Sequence, residues 1–371
     1  MADKKRVGVI TAGSDSPGMN AAIRAIGKAA GSFGYEVTGF LDGFRGLIED
    51  HTAQPGLSGI LTAGGTVLGT SRENIVFPRE PAKTAQRAEA AAATYQRHKL
   101  DLLVCVGGRE TMVCAHHLSR MGMNVITLPK GIDNDMPMTD ATIGYDTAMG
   151  TATEATDRLH STAHSHHRII LVETMGKYTG WLTLGSGIAG GADVIIIPEI
   201  PYDVRKIGDA INQRNQSGRR FSIIAVAEGG ISRDTVEFIE RSKYSNRVKR
   251  AGEEREDIDL KLREMENQLS GSTLTLANRL EKFTGLETRI TILGHLLRGG
   301  APSATDRVLA TSMGTFCINL MRDGVSGVMI ALKDGDLTTV PLEQVLNKHK
   351  PVPLNHPWIE SARLVGTSFG D

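Results

Sequence analysis

Two aspartates separated by a single residue are the clearest chemical signal in the sequence. Asp133 and Asp135 come after residues 124–128, an apolar run that is typical of a buried β-strand. In open α/β sheets, ligands bind at the loops that follow the carboxyl ends of the parallel strands. Two carboxylates in such a loop can divide the work, because one can remove a proton from a hydroxyl group while the other holds a divalent cation. An enzyme that phosphorylates an alcohol needs both tasks done.

Glycine-rich turns after other apolar runs predict contacts with phosphate groups. Residues 13–18 and the pair Gly107 and Gly108 each stand between a strand-like run and a helix-like segment. Backbone N–H groups at helix N-termini bind phosphate oxygens, and glycine lets the backbone approach closely. Such turns are just as often purely structural, and neither one matches the Walker A or GxGxxG pattern. A third glycine-rich loop, residues 64–72, ends at Arg72, which either binds a donor phosphate or lies on the surface.

A second group of basic residues suits an anion site. His295 and Arg298 lie within the glycine-bracketed residues 294–300, after a strand-like run. Arg168 and Arg289 each open another run and would add positive charge. Each of them, taken alone, is more often part of a salt bridge than of a binding site. Their occurrence together with the acidic loop favours binding of a phosphorylated substrate.

The repeated order of apolar strand, glycine-rich turn and helix predicts the fold. We expect an α/β protein with two doubly wound, Rossmann-like, three-layer domains and the active site in the cleft between them. The predicted strands are residues 6–11, 102–106, 124–128, 168–172, 194–197, 221–227, 289–293 and 328–332. A charged, helix-forming excursion at about residues 233–278 interrupts this order. Its apolar stripe predicts a helix that packs on the body of the protein or forms a subunit contact or regulatory arm.

Composition narrows the class of protein. The chain has 371 residues, enough for two domains, and 42 basic residues balance 42 acidic ones. The zero net charge removes the general electrostatic argument for binding nucleic acid. No apolar run approaches the roughly 20 residues of a membrane span. Three cysteines without a CxxC pattern, and an N-terminus without a signal-peptide core, predict a reduced, cytoplasmic location.

Seven ordered motifs relate the chain to a known family. They are residues 13–24, 64–72, 129–135, 142–148, 175–180, 227–229 and 294–300. On these motifs the sequence resembles the phosphofructokinase family along nearly its whole length. The resemblance implies a homodimer or homotetramer that transfers phosphate from ATP with Mg²⁺, or from diphosphate, to O1 of fructose 6-phosphate in glycolysis. It also implies a donor domain of residues 1–144 with 297–345 and a sugar-phosphate domain of residues 145–296 with 346–371.

The resemblance assigns roles on the acceptor side. Asp133 matches the catalytic base that takes the proton from the O1 hydroxyl, and Asp135 matches the carboxylate associated with the metal ion. The positions that match the 6-phosphate cluster, some of them reaching across a subunit boundary, are Arg168, Arg289, His295 and Arg298. The positions that match sugar contacts are Met175, Gly176 and Glu228.

The donor side departs from the family pattern. The expected donor-binding positions are Gly13, Ser14, Arg72, Gly107, Gly108, Arg109, Glu110, Thr111 and Lys130. Among them, Arg109 stands where the family has an acidic metal-site residue. Two catalytic positions differ as well, since Gly131 replaces a threonine and Lys177 an arginine. A guanidinium at residue 109 would either supply part of the positive charge of a metal ion or repel Mg²⁺.

Donor and acceptor identity both have alternatives. Glu110 is acidic where ATP-using members have glycine, and Lys130 resembles the diphosphate-using branch, so the sequence modestly favours diphosphate over ATP. A sugar-phosphate-binding paralogue with weak or no kinase activity is the first alternative. A kinase for a different sugar phosphate is the second, because Gly131 opens space beside the reacting hydroxyl. The sequence leaves the oligomer size and any allosteric effector open.

Overall fold

A computed structural model describes residues 4–77, 79–237 and 272–371. The chain forms two compact units, one of Met1–Ala148 with Arg298–Lys350 and the other of Met149–Leu297 with Pro351–Asp371. Most of the predicted charged excursion lies outside the described residues. The four residues of its apolar stripe, which are Ile258, Leu262, Met265 and Leu269, also lie outside them.

The first unit is built on a seven-stranded mixed sheet. Its strands are β1 (Arg6–Thr11), β2 (Glu36–Phe40), β3 (Thr52–Ala53), β4 (Leu102–Gly107), β5 (Val125–Pro129), β10 (Val328–Lys333) and β11 (Asp336–Pro341), in the spatial order β11-β10-β5-β4-β1-β2-β3. The five inner strands pair in parallel, and β3 and β11 pair antiparallel at the two edges. Its helices are α1 (Met19–Ser32), α2 (Phe44–Glu49), α3 (Pro81–Arg97), α4 (Arg109–Arg120), α9 (Ala304–Arg322) and α10 (Leu342–Val345).

The inner strands are apolar on both faces because helices cover both faces of the sheet. Every residue of β4 is buried. Leu102 and Val104 belong to one core cluster, which also contains apolar residues of α1 and α9. Leu103 and Cys105, between them in the sequence, belong to a second cluster with apolar residues of α3 and α4. This alternation is the two-residue period of a strand inside a three-layer unit, as predicted.

The second unit holds a four-stranded parallel sheet. Its strands are β6 (Ile169–Thr174), β7 (Val194–Ile196), β8 (Ser222–Ala227) and β9 (Thr288–Ile292), in the order β7-β8-β6-β9. Its helices are α6 (Trp181–Ala189), α7 (Val204–Gln216), α8 (Ser272–Thr284) and α11 (Pro357–Leu364), and α5 (Tyr145–His166) begins in the first unit and continues in the second. Strands β6, β7 and β8 are almost wholly buried, whereas the edge strand β9 is partly exposed.

The sequence also predicts reduced cysteines and no membrane-spanning segment. The thiols of Cys105, Cys114 and Cys317 are all free and buried. Burial raises the pKa of the Cys105 thiol well above its ordinary value, so this sulfur stays protonated and behaves as an apolar group. Among the described residues, the helices are too short or too polar to cross a membrane.

Candidate active site

Parallel pairing brings three predicted loops to one edge of the seven-stranded sheet. Thr11 at the end of β1 stands opposite Val106 of β4, and Gly107 at the end of β4 stands opposite Pro129 of β5. The turns that follow β1, β4 and β5 therefore leave the sheet side by side. This is the carboxyl edge of the strands, where open α/β sheets bind ligands.

The glycine-rich loops contact each other directly. The N–H of Gly13 donates to the carbonyl of Ser71 at 3.0 Å, and Thr70 Oγ1 donates to the carbonyl of Gly13 at 2.6 Å. These bonds place the predicted loop 64–72 against the turn after β1, and they leave Arg72 beside it with an exposed side chain. Gly13 has a φ of +81°, a conformation that a residue with a Cβ rarely adopts.

The turn after β4 leads into the N-terminus of α4. A Cβ at Gly107 would lie 2.2 Å from Thr111 Oγ1, so glycine is required for the buried threonine to fold back over the turn. The backbone N–H groups of the first turn of α4 face away from the helix body and can bind an anion. Glu110 on this turn is exposed, and its Oε2 accepts a hydrogen bond from Asn74 Nδ2 at 3.1 Å.

Backbone contacts hold the acidic loop in place. Gly131 donates its N–H to the carbonyl of Ile143 at 3.0 Å. Asn134 has a φ of +50°, the left-handed conformation that asparagine tolerates best among residues with a side chain. The aspartates on either side, Asp133 and Asp135, are both partly buried. A Cβ at Gly131 would meet open space.

Lys130 links the acidic loop to the turn after β1. Its side chain is 4% exposed, and its Nζ donates a hydrogen bond to the carbonyl of Ser14. Burial, together with the guanidinium of Arg298, lowers the pKa of Lys130 to about 8. The Arg298 side chain itself donates from Nη1 to the carbonyl of Asp15 at 3.0 Å. Two cationic groups, those of Lys130 and Arg298, thus converge on the first glycine-rich turn.

Arg109 forms an ion pair with the predicted metal ligand. Its Nε lies 2.8 Å from Oδ2 of Asp135, and the Asp135 side chain is only 19% exposed. Its Nη1 also lies 2.5 Å from Nε2 of His349. Burial and the nearby guanidinium lower the pKa of His349, so this imidazole is neutral at pH 7. Because a guanidinium can only donate, His349 accepts through Nε2 and carries its proton on Nδ1.

These residues do not fit a magnesium ion held by Asp135. Mg²⁺ needs oxygen ligands at about 2.0 to 2.1 Å in octahedral geometry, and a guanidinium already occupies one oxygen of this carboxylate. Two unit charges about 4 Å apart repel by about 4 kcal/mol at an effective dielectric constant of about 20, and a divalent ion doubles that. In the described part of the chain, no three His, Cys, Asp or Glu side chains form a group that could hold a metal. The ion pair between Arg109 and Asp135 therefore argues against the prediction that Asp135 is a metal ligand.

In the second unit, the predicted sugar contacts meet at the carboxyl edge of the sheet. Thr174 at the end of β6 pairs with Ala227 at the end of β8, so the residues that follow them are neighbours. The N–H of Gly176 accordingly contacts Oε1 of Glu228 at 3.4 Å. Met175 is partly buried beside this pair, and Lys177, the next residue after Gly176, is exposed.

Two of the predicted phosphate-binding arginines, Arg168 and Arg289, lie toward the amino ends of the strands in the same sheet, whereas Arg298 belongs to the first unit. Arg168 directly precedes β6, and Arg289 is the second residue of β9. Both guanidinium groups pair with the carboxylate of Glu287, which holds them together. His295 comes after the carboxyl end of β9 and is exposed. Within one chain, the sheet therefore separates Arg168 and Arg289 from the sugar contacts.

Several residues of these sites carry no recognisable signal in the sequence. His349 and Lys350 approach the acidic loop from a segment more than 200 residues away, and the N–H of Lys350 donates to the carbonyl of Asp135 at 3.0 Å. Glu287 is distinguished only by its place two residues before Arg289. A contact made by tertiary folding alone cannot be read from local spacing.

Comparisons with known proteins identify the family of this chain. Residues 6–321 match the sequence profile of the family described as Phosphofructokinase. The chain is 51% identical to the ATP-dependent 6-phosphofructokinase of Propionibacterium freudenreichii subsp. shermanii, over 99% of this chain and 99% of that protein. It is 40% identical to the pyrophosphate–fructose 6-phosphate 1-phosphotransferase of Streptomyces coelicolor, over 94% and 96% of the two chains.

A solved structure leads to the same family. The crystal structure of Pichia pastoris phosphofructokinase in the T-state is similar to this chain with a TM-score of 0.77 and 30% identity. The match covers 93% of this chain and 36% of that one, so this chain spans little more than a third of that protein. The chain belongs to the phosphofructokinase family, as the motifs predict.

Proposed function

We propose that this protein is a 6-phosphofructokinase, which transfers a phosphoryl group to O1 of fructose 6-phosphate to give fructose 1,6-bisphosphate. The observation that carries the proposal is the position of Asp133. It lies in the loop after β5, beside the glycine-rich turns that suit a phosphoryl donor. The relatives at 51% and 46% identity are named as 6-phosphofructokinases. Neither of the alternatives raised by the sequence gains support from these relatives.

The chemistry follows from the residues of the acidic loop. Asp133 accepts the proton of the O1 hydroxyl while that oxygen forms its bond to the transferred phosphorus. The bond between this phosphorus and the bridging oxygen of the donor breaks, and the leaving phosphate group takes that electron pair. In this proposal Lys130 and the first turn of α4 bind the donor's negative charge, which is supported by the contact of Lys130 with the turn after β1 and by the helix N-terminus that follows β4. The protein thus contributes a base, positioning and positive charge, which are its main tasks in phosphoryl transfer.

We propose ATP as the donor. Relatives that match 98% or more of this chain are named as ATP-dependent. The diphosphate preference expected from Glu110 and Lys130 has no support from these relatives. Diphosphate remains a second candidate, because the Streptomyces coelicolor relative uses pyrophosphate according to its name. The Glu110 side chain, on the first turn of α4, also accepts a hydrogen bond from Asn74. This bond keeps the acidic group next to the proposed donor site.

A donor comparison tests both proposals. Purified protein is assayed with saturating fructose 6-phosphate and either ATP or diphosphate, with MgCl₂ in the medium. We expect ATP to give the higher kcat/KM. A kcat/KM at least about tenfold higher for diphosphate would reject the donor assignment, whereas no turnover with either donor would reject the kinase. If Glu110 excludes ATP, the Glu110→Gly variant gains ATP-dependent activity that the parent protein lacks.

Lys130 gives the donor site a pH dependence. Its pKa of about 8 means that the ammonium is charged at pH 7 and loses its proton as the pH rises through about 8. We expect the KM for the donor to increase over that range, because the positive charge of Lys130 beside the glycine-rich turn after β1 disappears. In Lys130→Met the KM should be about ten- to a hundredfold higher at pH 7 and flat up to pH 9.

A second lysine serves as the control for this measurement. Burial also lowers the pKa of Lys350 to about 8, but its Nζ donates to the carbonyls of Thr139 and Asp140, which lie beyond the acidic loop in the sequence. Lys350→Met should therefore keep the rise in donor KM above pH 8. If Lys130→Met keeps that rise and Lys350→Met loses it, the assignment to Lys130 is wrong.

We also propose that the active form is a homo-oligomer. Arg168 and Arg289 can reach a sugar phosphate bound near Glu228 only from a second copy of the chain, because the length of the strands separates them within one copy. The edge strand β9 carries Ile292, which is 64% exposed, and Leu296 just beyond it is 69% exposed. Exposed apolar groups along a sheet edge favour a subunit contact.

A further inference from the structure

We propose that Arg109 is a tethered cation, which takes the place of a protein-bound divalent metal ion at Asp135. The inference rests on the proposed function, because that function gives the acidic loop its role in phosphoryl transfer. Its test does not depend on turnover. In this view the carboxylate of Asp135 is neutralised by the chain itself. The protein therefore supplies the cationic side of this loop as a fixed guanidinium and does not recruit an ion to it.

The geometry of the Arg109 side chain carries the first step. Arg109 is the first residue of α4, and Nε contacts Oδ2 of Asp135 at 2.8 Å. The two side chains are 29% and 19% exposed, so this is a partly buried pair and not a solvated surface pair. A charge-assisted hydrogen bond in such surroundings is stronger than one in open water. A hydrated metal ion would have to displace this bond before it could ligate Asp135.

The surroundings of Arg109 keep its guanidinium on the carboxylate. His349 accepts a hydrogen bond from Nη1, which gives the guanidinium a second partner beside Asp135. The next residue, Lys350, binds the acidic loop through its backbone N–H on the carbonyl of Asp135 and through Nζ on the carbonyl of Asp140. One segment, residues 349–350, thus holds both members of the ion pair, and the pair is built into the fold.

The charges around the loop lead to the same conclusion. Asp133 and Asp135 bring two negative charges, and Arg109 and Lys130 bring two positive ones. Lys130 is 4% exposed and linked to the neighbouring turn, so its position is as fixed as that of the guanidinium. An acidic loop that is already balanced by side-chain cations has little remaining charge with which to attract a divalent ion. Arginine suits this role because it stays charged at every physiological pH.

Manganese binding tests the proposal without any phosphoryl donor. Mn²⁺ is titrated into the ligand-free protein, and the free ion is counted by its electron paramagnetic resonance signal. We expect no binding at the acidic loop in the parent protein. Arg109→Asp removes the guanidinium and adds a carboxylate, and it should bind Mn²⁺ with a Kd at least about tenfold below the weakest Kd that the titration detects. Adding Asp135→Asn to Arg109→Asp should abolish the gained binding.

Two further variants keep the test decisive. Arg109→Gln removes the charge without adding a carboxylate, so it covers the case in which Arg109→Asp fails to fold, and it should also bind Mn²⁺ more tightly than the parent. The control is Arg322→Asp, because the guanidinium of Arg322 lies over the ring of Phe33 at 4.3 Å and the residue is exposed. That variant makes the same Arg-to-Asp change elsewhere in the unit and should leave Mn²⁺ binding as in the parent.

The outcomes separate this proposal from the kinase assignment. Mn²⁺ binding by the parent protein that Asp135→Asn abolishes would overturn the tethered-cation proposal, and so would folded Arg109 variants that gain no Mn²⁺ binding. A chain without turnover but with the expected Mn²⁺ pattern would reject the kinase and keep the tethered cation. Turnover together with Mn²⁺ bound at Asp135 in the parent protein would do the reverse.

Discussion

Replacement of Asp133 by asparagine should lower kcat by about 10²- to 10⁴-fold and leave the affinity for fructose 6-phosphate almost unchanged. Asparagine has nearly the same shape as aspartate and keeps a hydrogen-bonding oxygen, but it cannot accept the proton of the O1 hydroxyl. The loss therefore falls on the chemical step and not on binding. Turnover is measured with the better donor, and the affinity for the sugar phosphate is measured separately by isothermal titration calorimetry.

A neighbouring aspartate provides the matched control. Asp140 lies in the same loop region, is exposed, and accepts a hydrogen bond at Oδ2 from the backbone N–H of Asp334 at 2.7 Å. Asp140→Asn preserves an acceptor for that bond and should leave kcat within about twofold, as expected for a surface substitution. A full rate in Asp133→Asn would mean that another group removes the proton. An equal loss in both variants would point to damage to the loop and not to a missing base.

The sequence predicts the inner strands well because burial on both faces leaves an unbroken apolar run. The predicted strands at residues 6–11 and 102–106 correspond to Arg6–Thr11 and Leu102–Gly107. Strand β2 (Glu36–Phe40) and strand β11 (Asp336–Pro341) are not predicted. Both have polar, partly exposed residues on at least one face, so neither shows a continuous apolar run. Their place in the sheet depends on neighbouring strands and not on local pattern.

Candidate site residues can be predicted where strand order alone brings them together. The turns after β1, β4 and β5 meet because these strands are parallel neighbours. The repeating strand–turn–helix order predicts parallel strands with ligand-binding loops at their carboxyl ends, but not which strands are neighbours. Arg109 stands out in the sequence only as a departure from the family. Its ion pair with Asp135 depends on where α4 begins, and its contact with His349 depends on tertiary folding. Both contacts are determined by packing, and the spacing of motifs in the sequence does not predict packing.

Two inactive variants should restore activity to each other if the active site is shared between copies of the chain. One carries Asp133→Asn, and the other carries Arg168→Met and Arg289→Met. Strand β6 has six residues, which corresponds to roughly 20 Å at about 3.3 Å per residue. That length separates Arg168 from Met175 within one chain. A sugar phosphate that contacts both residues must therefore take its arginines from a second copy.

The expected yield of this complementation follows from random pairing. An intact site needs Asp133 from one kind of protomer and both arginines from the other, so equal mixing should recover about a quarter of the parental activity. The protomers are mixed after dissociation, reassociated and assayed at saturating fructose 6-phosphate. Placing Asp133→Asn on the arginine variant as well removes every intact base and should abolish the recovery. If Arg168 and Arg289 acted only within their own chain, no mixture would regain activity, because each chain would keep its own defect in every oligomer.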